Sequence, residues 1–294
     1  MTLKLSTGLR TDTLSAGSVK SLLDGGFIDI YSGPVPNSAD DSIGSAVLMC
    51  RISTDGAGTG LTLSPTSVSG VLVKDAEDVW IGTKLQTGTP TFYRHVAADD
   101  DGTASQTAPR IQGSVGLAGE QMNLSSINFI TSETQTIDHY AFAIPAGDSV
   151  KTSTGLRGEV LTAGSLKSRL DGGFIDIYGG AVPVSADATV GGARKLCRIS
   201  LASSASGINF DTGAVAGVIL KAPAEVWSGV NLASGTATFY RFVRTEDTAF
   251  ESFTDLRVQG RVGVVGADLN LSSTELVFGA TQTIDNYAFA WPTL

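Results

Sequence analysis

The sequence contains two copies of one long segment. Every repeated motif recurs 147 residues later, the separation between Cys50 and Cys197, so the copies align without insertion or deletion. This period is far longer than the roughly 20–50 residues of a solenoid repeat, and each copy is therefore expected to fold as a domain. The clearest repeated motifs are STGLR (6–10 and 153–157), DGGFIDIY (24–31 and 171–178), CRIS (50–53 and 197–200) and QTID (135–138 and 282–285).

The two predicted domains span residues 1–147 and 148–294, and about half of their aligned positions are identical. The chain passes from one to the other in AIPAGDSVK, around residues 145–151. Pro, Gly and Asp in this stretch are typical of a short linker.

Each copy has the pattern of a β-protein. Runs of β-branched, aromatic or alternating apolar residues are separated by clusters of Gly, Asp, Ser and Pro. With no long helical pattern between them, they predict two tandem all-β domains of the β-sandwich or jelly-roll type. In the first copy the predicted strands are 27–32, 47–53, 69–74, 89–96, 109–115, 126–131 and 137–144, and they recur in the second.

One short helix is predicted near the start of each copy. In SVKSLLDGG, Ser18 is a suitable N-cap and Gly25 can adopt the positive φ that follows a helix end. SLKSRLDGG keeps the same start and stop in the second copy. The strand FIDIY follows directly.

The amino-acid composition argues against several classes of binding partner. The formal net charge is −9, which argues against nucleic acid or an anionic membrane, because phosphate binding needs a surplus of Lys and Arg. No apolar run approaches the roughly 20 residues of a transmembrane helix. MTLKLSTGLR lacks the apolar core of a signal peptide, so we expect folding in a cytosol. Only 17% of residues are charged, which fits either a surface that other proteins cover or an ordinary surface of Ser and Thr.

An aspartate within the strand FIDIY needs a partner if it is buried. Asp29 and its copy Asp176 share one face of the strand with aromatic residues. A catalytic carboxylate normally requires a second carboxylate or a base at a fixed distance. We instead predict structural ion pairs that fix strand register. The candidate partners in the two copies are Arg51, Arg94, Arg110, Arg198, Arg241 and Arg257.

No catalytic or metal-binding arrangement is common to both copies. The two histidines, His95 and His139, correspond to Phe242 and Asn286 in the second copy. The two cysteines occupy matching positions without a CxxC motif, so we expect buried free thiols. DDDG at 99–102 lacks the spacing and the distal Glu of a calcium loop. We therefore predict a protein that is not an enzyme, with no catalytic residues, no metal and no cofactor.

Two aromatic residues are candidate contact residues. Tyr31 ends the strand FIDIY, and Trp291 replaces Ile144 of the first copy and has no twin. Exposed aromatic side chains anchor protein interfaces and glycan sites. The loop at 99–105 differs strongly between the copies and is a further place for a contact made by one copy alone.

A set of motifs in this chain resembles the sequence of a known family. The motifs are STGLR, DGGFIDIYSGP followed by SAD, AEVWSG, TFYRF, NLSS and QTID. The chain resembles virion structural proteins encoded in the structural gene clusters of tailed bacteriophages. The resemblance covers nearly the whole chain, although most members carry one copy. It implies a virion role without locating it, and it supplies no catalytic residues.

Within a virion, the pattern favours a capsid decoration, or cement, protein. Such proteins bind symmetric lattice points through large, charge-poor interfaces. The expected partners are the major capsid protein or other virion proteins, in a homo-oligomer that is a trimer or a dimer. The expected location is the virion, assembled in the host cytoplasm. The alternative is a β-sandwich binding module of a tail or fibre that recognises host surface glycans.

Overall fold

The computed structural model describes residues 3–291. The first copy consists of β1 (Lys4–Leu5), α1 (Thr7–Ser15), α2 (Val19–Leu23), β2 (Phe27–Ser32), β3 (Val47–Thr54), β4 (Val71–Val73), β5 (Trp80–Thr83), β6 (Phe92–Val96), β7 (Arg110–Gly116), β8 (Met122–Asn123), β9 (Thr134–Thr136) and β10 (Ala141–Ala143).

The second copy repeats this order with one additional pair of short strands. It consists of β11 (Lys151–Thr152), α3 (Thr154–Thr162), α4 (Leu166–Leu170), β12 (Phe174–Gly179), β13 (Arg194–Leu201), β14 (Val218–Leu220), β15 (Trp227–Val230), β16 (Gly235–Thr236), β17 (Phe239–Val243), β18 (Arg257–Gly263), β19 (Leu269–Asn270), β20 (Glu275–Leu276), β21 (Thr281–Ile284) and β22 (Ala288–Ala290).

Each copy is built on one large sheet. Its strand order is β1-β7-β6-β2-β3-β5-β9 in the first copy and β11-β18-β17-β12-β13-β15-β21 in the second. Neighbours along these paths are antiparallel, whereas β8 and β19 join β7 and β18 in parallel. A two-stranded sheet, β4 with β10 or β14 with β22, accompanies each large sheet.

The two sheets of a copy share one apolar core. Leu72 of β4 and Phe142 of β10 are buried together with Ile30 and Ile52 of the large sheet. Alternation along the strands places these side chains inward. The predicted class, two tandem β-sandwich domains of similar architecture, is confirmed.

The strand predictions match the centre of the large sheet better than its periphery. Residues 126–131, predicted as a strand, contain only the bridge of Phe129 to Gly88. The strand β5 is absent from the predicted runs because WIGT is short and contains Gly82. A Cβ atom at Gly82 would lie 2.1 Å from the carbonyl oxygen of Arg51, so the close approach of β3 requires the glycine.

Each copy has two helices where one is predicted. The predicted helix, α2, begins after Ser18, whose hydroxyl accepts a hydrogen bond from the N–H of Ser21 at 3.1 Å. Gly25 follows its end with φ +78°. The unpredicted helix, α1, begins after Ser6 and contains three Thr and a Gly, which have low helix propensity. Burial of Leu9 in the core, rather than local preference, stabilises this helix.

The helices join the two copies through an approximate two-fold relationship. α1 contacts α4 and β14 of the second copy, and α3 makes the equivalent contacts with α2 and β4 of the first. Leu14 of α1 and Leu161 of α3 are fully buried in a single apolar cluster that contains core residues of both copies. Each copy thus offers the same surface to the other, as in an isologous dimer.

Candidate functional site

Asp29 is held by an arginine on the neighbouring strand. Nε and Nη2 of Arg51 donate to the two carboxylate oxygens of Asp29, each at 2.7 Å. In the second copy Arg198 binds Asp176 in the same bidentate way, at 2.6 and 2.7 Å. The carboxylates are buried while the arginines are partly exposed. Antiparallel register places each pair directly opposite across β2–β3 and β12–β13.

The second copy adds a further cation to this pair. Nζ of Lys195 lies 2.6 Å from Asp176, whereas the corresponding residue of the first copy is Leu48. In the first copy, the hydroxyl of Tyr31 donates a hydrogen bond to the Asp29 carboxylate at 3.3 Å, in addition to the two hydrogen bonds from Arg51. Among the described residues, neither carboxylate has a second acid or a base positioned for catalysis.

Arg94 and Arg241 are buried but form no ion pair within residues 3–291, which corrects their assignment as ion-pair candidates. Nε of Arg94 donates to Gln112 at 2.9 Å, and Nη2 donates to the carbonyl oxygens of Ser38 and Asp41 at 3.3 and 2.8 Å. Burial, together with the neighbouring Arg110, lowers the pKa of Arg94 to about 10. The side chain therefore fastens the loop at 33–46 onto the sheet.

Arg110 pairs with the acidic loop instead of with Asp29. Its Nη2 donates to Asp100 at 2.9 Å and to the carbonyl oxygen of Thr103 at 2.8 Å, and its Nη1 donates to the carbonyl oxygen of Ala39 at 3.2 Å. Arg257 pairs with Asp247 and Asp255 in the second copy. The DDDG run is thus bound to a buried arginine, and these charges fix two loops over the outer face of each large sheet.

The histidine and cysteine side chains that could carry chemistry are mostly enclosed. His95 is buried, its Nδ1 lies 3.1 Å from the hydroxyl of Tyr140, and burial lowers its pKa to about 4. Cys50 and Cys197 are free and buried, as predicted, and burial raises the pKa of both thiols to about 12. Within residues 3–291, no group of three or more His, Cys, Asp or Glu side chains could hold a metal ion.

The two aromatic contact candidates are buried, so their assignment as exposed contact residues is wrong. Tyr31 is 5% exposed and stacks on Phe92 with ring centroids 5.0 Å apart. Trp291 is 4% exposed and packs edge-to-face on Phe289 at 5.0 Å. It lies in an apolar pocket beside Leu9 of α1, and therefore contributes to the junction of the two copies.

A polar cleft lies at the same place in each copy. The first cleft is lined by residues 121–125 and 136–141, with 73–76 at one end, in two adjoining pockets of about 350 and 480 Å³. The second cleft is a single cavity of about 710 Å³ lined by 220–221, 223, 268, 270–272, 283 and 285–288. The loop after β8 or β19 forms one wall, and the segment after β9 or β21 forms the other.

Five lining residues of each cleft are exposed and identical in the two copies. Four of the five belong to the repeated motifs NLSS and QTID, which sequence reasoning uses to align the copies but does not assign to a site. What indicates a site is that these residues are both identical in the two copies and exposed. Their exposure is known only from the structure. The pairs are Asn123 and Asn270, Ser125 and Ser272, Thr136 and Thr283, Asp138 and Asp285, and Ala141 and Ala288.

Large apolar side chains are exposed at matching positions of the two copies. They include Val68 and Val215, Val79 and Val226, and Leu85 and Leu232, each about half or more exposed. Other exposed apolar residues belong to the second copy alone: Val184, Phe250 and Phe253 replace Asn37, Thr103 and Gln106 of the first.

Comparison with known proteins finds no matching family model, curated protein or solved structure. Among the described helices, none has the length and apolar character needed to cross a membrane.

Proposed function

We propose that this chain is a structural virion protein of a tailed bacteriophage, and specifically a decoration protein that binds the capsid surface. Its motifs resemble those of virion proteins, and DGGFIDIYSGP is the most specific of them. The carboxylate in that motif is held in a bidentate arginine pair that stabilises the sheet. The motif therefore has a structural role: it stabilises the β-sheet.

The observation that carries the proposal is the repetition of exposed apolar residues on both copies. Leu85 and Leu232 are 48% and 54% exposed, and both lie two residues beyond the strand next to the edge strand of their sheet, β5 or β15. Exposed apolar residues that both copies keep at the same positions support an interaction surface. A surface that occurs twice, related by an approximate two-fold, suits a partner that is itself repeated, such as the major capsid protein in a lattice.

The low charge of the chain supports the same proposal. Some of its few charged side chains are buried in internal contacts, among them Arg94, Arg110, Arg241 and Arg257. The remaining surface is poor in charge, as in the cores of stable protein interfaces. The proposed assembly is a homo-oligomer, a dimer or a trimer, located in the virion.

The proposal is tested with capsids from a phage that lacks this gene. Purified protein is added, capsids are sedimented, and bound protein is quantified over a range of concentrations. We expect saturable binding that Leu85→Asp together with Leu232→Asp weakens by about tenfold or more, since each leucine loses its apolar burial. Ala98→Asp, at an exposed residue outside these apolar positions, is the control and should bind as the unchanged protein does.

Recovery of the protein from the tail fraction of virions, with none on heads, would overturn the capsid placement. It would favour the second candidate function, recognition of host glycans by a tail component. One observation supports that candidate: the polar clefts, which are present in both copies.

A further inference from the structure

We infer that each cleft is a binding site for a neutral saccharide, so that the chain carries two equivalent sugar sites. The inference concerns the clefts alone and does not depend on where in a virion the protein sits. It replaces Tyr31 and Trp291, which are buried, with a different set of residues.

The first argument is the pattern of divergence between the copies. About half of all aligned positions differ, and exposed positions in the loop at 97–108 differ almost throughout. In the clefts, by contrast, Ser125, Thr136 and Asp138 are exposed and unchanged in their counterparts. Core packing does not require these side chains, since they lie outside the core. A common ligand explains why both copies keep them.

The second argument is the free hydrogen-bonding capacity of these side chains. Within the described residues, the carboxylates of Asp138 and Asp285 accept no hydrogen bond and form no salt bridge. Asn123 and Asn270 use the side-chain oxygen to accept a backbone N–H, of Glu120 and Ala267 respectively. Their amide NH₂ groups are therefore left as donors toward the cleft.

The third argument is the match to a polyhydroxylated ligand. A carboxylate accepts hydrogen bonds from two neighbouring hydroxyl groups, while an amide NH₂ and the hydroxyls of Ser and Thr bond the remaining sugar oxygens. A cavity of about 710 Å³ lies within the usual range for small-ligand sites.

Charge restricts the ligand to a neutral sugar. The lysines at the cleft ends are turned away, because Nζ of Lys74 donates to the carbonyl oxygen of Asp75 at 3.1 Å and Nζ of Lys221 to that of Ala222 at 3.3 Å. The aspartates leave the clefts acidic, so a phosphate or a sialic acid would be repelled.

The experiment uses the full chain and an array of glycans that end in glucose, galactose, mannose, N-acetylglucosamine or sialic acid. The best neutral binder is then titrated calorimetrically. We expect two sites per chain in the unchanged protein, one in Asp138→Ala, one in Asp285→Ala, and none in the double variant. Each mutated site should weaken by about tenfold or more, the loss of a hydrogen bond to a charged group.

Glu251→Ala removes an exposed carboxylate outside the clefts and should retain both sites. Circular dichroism and thermal unfolding establish that all variants are folded, which is expected because Asp138 and Asp285 have no internal partner. The inference is overturned if no neutral glycan binds, if only sialylated glycans bind, or if the double variant binds as well as the unchanged protein. It is equally overturned if the double variant loses only capsid binding, since the clefts would then be protein contacts.

Discussion

Arg10 of the first copy lies against Gly217 of the second, and the corresponding residues, Arg157 of the second copy and Gly70 of the first, make the same contact. A Cβ atom at Gly217 would lie 2.7 Å from Nη1 of Arg10, and one at Gly70 would lie 3.4 Å from Nε of Arg157. The hydroxyl of Thr11 accepts a hydrogen bond from the N–H of Gly217 at 2.8 Å. The junction of the copies thus depends on two glycines that arginines cover.

Gly217→Ala should lower the free energy of unfolding more than Gly172→Ala does. The two glycines have nearly equal backbone angles, φ +77° and +78°, so both variants carry the strain of a left-handed alanine, about 1–2 kcal/mol. No atom lies within 4 Å of the Cβ position at Gly172, whereas at Gly217 the guanidinium of Arg10 must move. Urea unfolding of both variants measures the difference. Equal losses would mean that the covering arginine contributes nothing.

The two halves of the chain should associate when they are produced as separate polypeptides. Residues 1–147 and 148–294 bury one continuous apolar cluster between them, so each half alone would expose helix faces that the other covers. Analytical ultracentrifugation of the mixed halves should detect a 1:1 complex, and Leu14→Asp should abolish it, since Leu14 is fully buried. Halves that remain monomeric and fully folded after mixing would contradict the shared core.

Asp29→Asn should lower stability less than Asp176→Asn. The amide keeps the shape of the carboxylate but leaves a buried position without its charge partner, which costs about 1–3 kcal/mol once the partial exposure of Arg51 is considered. At Asp176 both Arg198 and Lys195 lose their partner. Asp138→Asn, at an exposed carboxylate, is the control and should have little effect. Loss of glycan or capsid binding without loss of stability would show that the aspartate pair is functional instead of structural.

Stability should decrease on acidification because of His95. Its pKa in the folded chain is about 4, against 6.5 as the ordinary value, because the imidazole is buried. The unfolded chain therefore binds the proton more readily, and stability that is present above pH 6.5 is lost as pH falls toward 4. Between pH 7 and 5 the expected loss from this group is about 1–2 kcal/mol.

The second copy supplies the matched variants for this measurement. Phe242 occupies the position of His95, and Asn286 that of the exposed His139. His95→Phe should remove the slope of unfolding free energy between pH 7 and 5, whereas His139→Asn should leave it largely unchanged. An unchanged slope in His95→Phe would assign the pH dependence to other groups.

Sequence reasoning predicts the repeat, the fold class and the helix α2 because each has a local signal. DGG stops a helix, and the alternation in FIDIY identifies a buried strand. It does not predict α1, whose stability comes from burial of Leu9 against distant residues, nor β5, whose Gly82 is required by a close approach of β3.

The candidate site residues are predicted less well, because their surroundings depend on contacts between distant parts of the chain. The partner of Asp29 is one of three candidates, and strand register places two of them, Arg51 and Arg94, directly opposite it. Arg94 donates instead to Gln112 and to loop carbonyl oxygens, which leaves Arg51 as the partner. Trp291 is buried because α1 of the other copy covers it, a contact with no trace in the local sequence. The clefts require the distant segments 121–125 and 136–141 to meet, which only the tertiary structure establishes.

Because the two similar halves belong to one chain, a residue can change in one half without changing in the other, which is impossible in a homodimer. In a homodimer any substitution appears on both subunits, so a new sticky face appears twice and invites uncontrolled polymerisation. Here Val184, Phe250 and Phe253 are exposed in the second copy, while the first copy keeps polar residues at those positions. The molecule thus combines an approximately two-fold body with a set of exposed apolar side chains on one half alone, so its two halves are not interchangeable as binding surfaces.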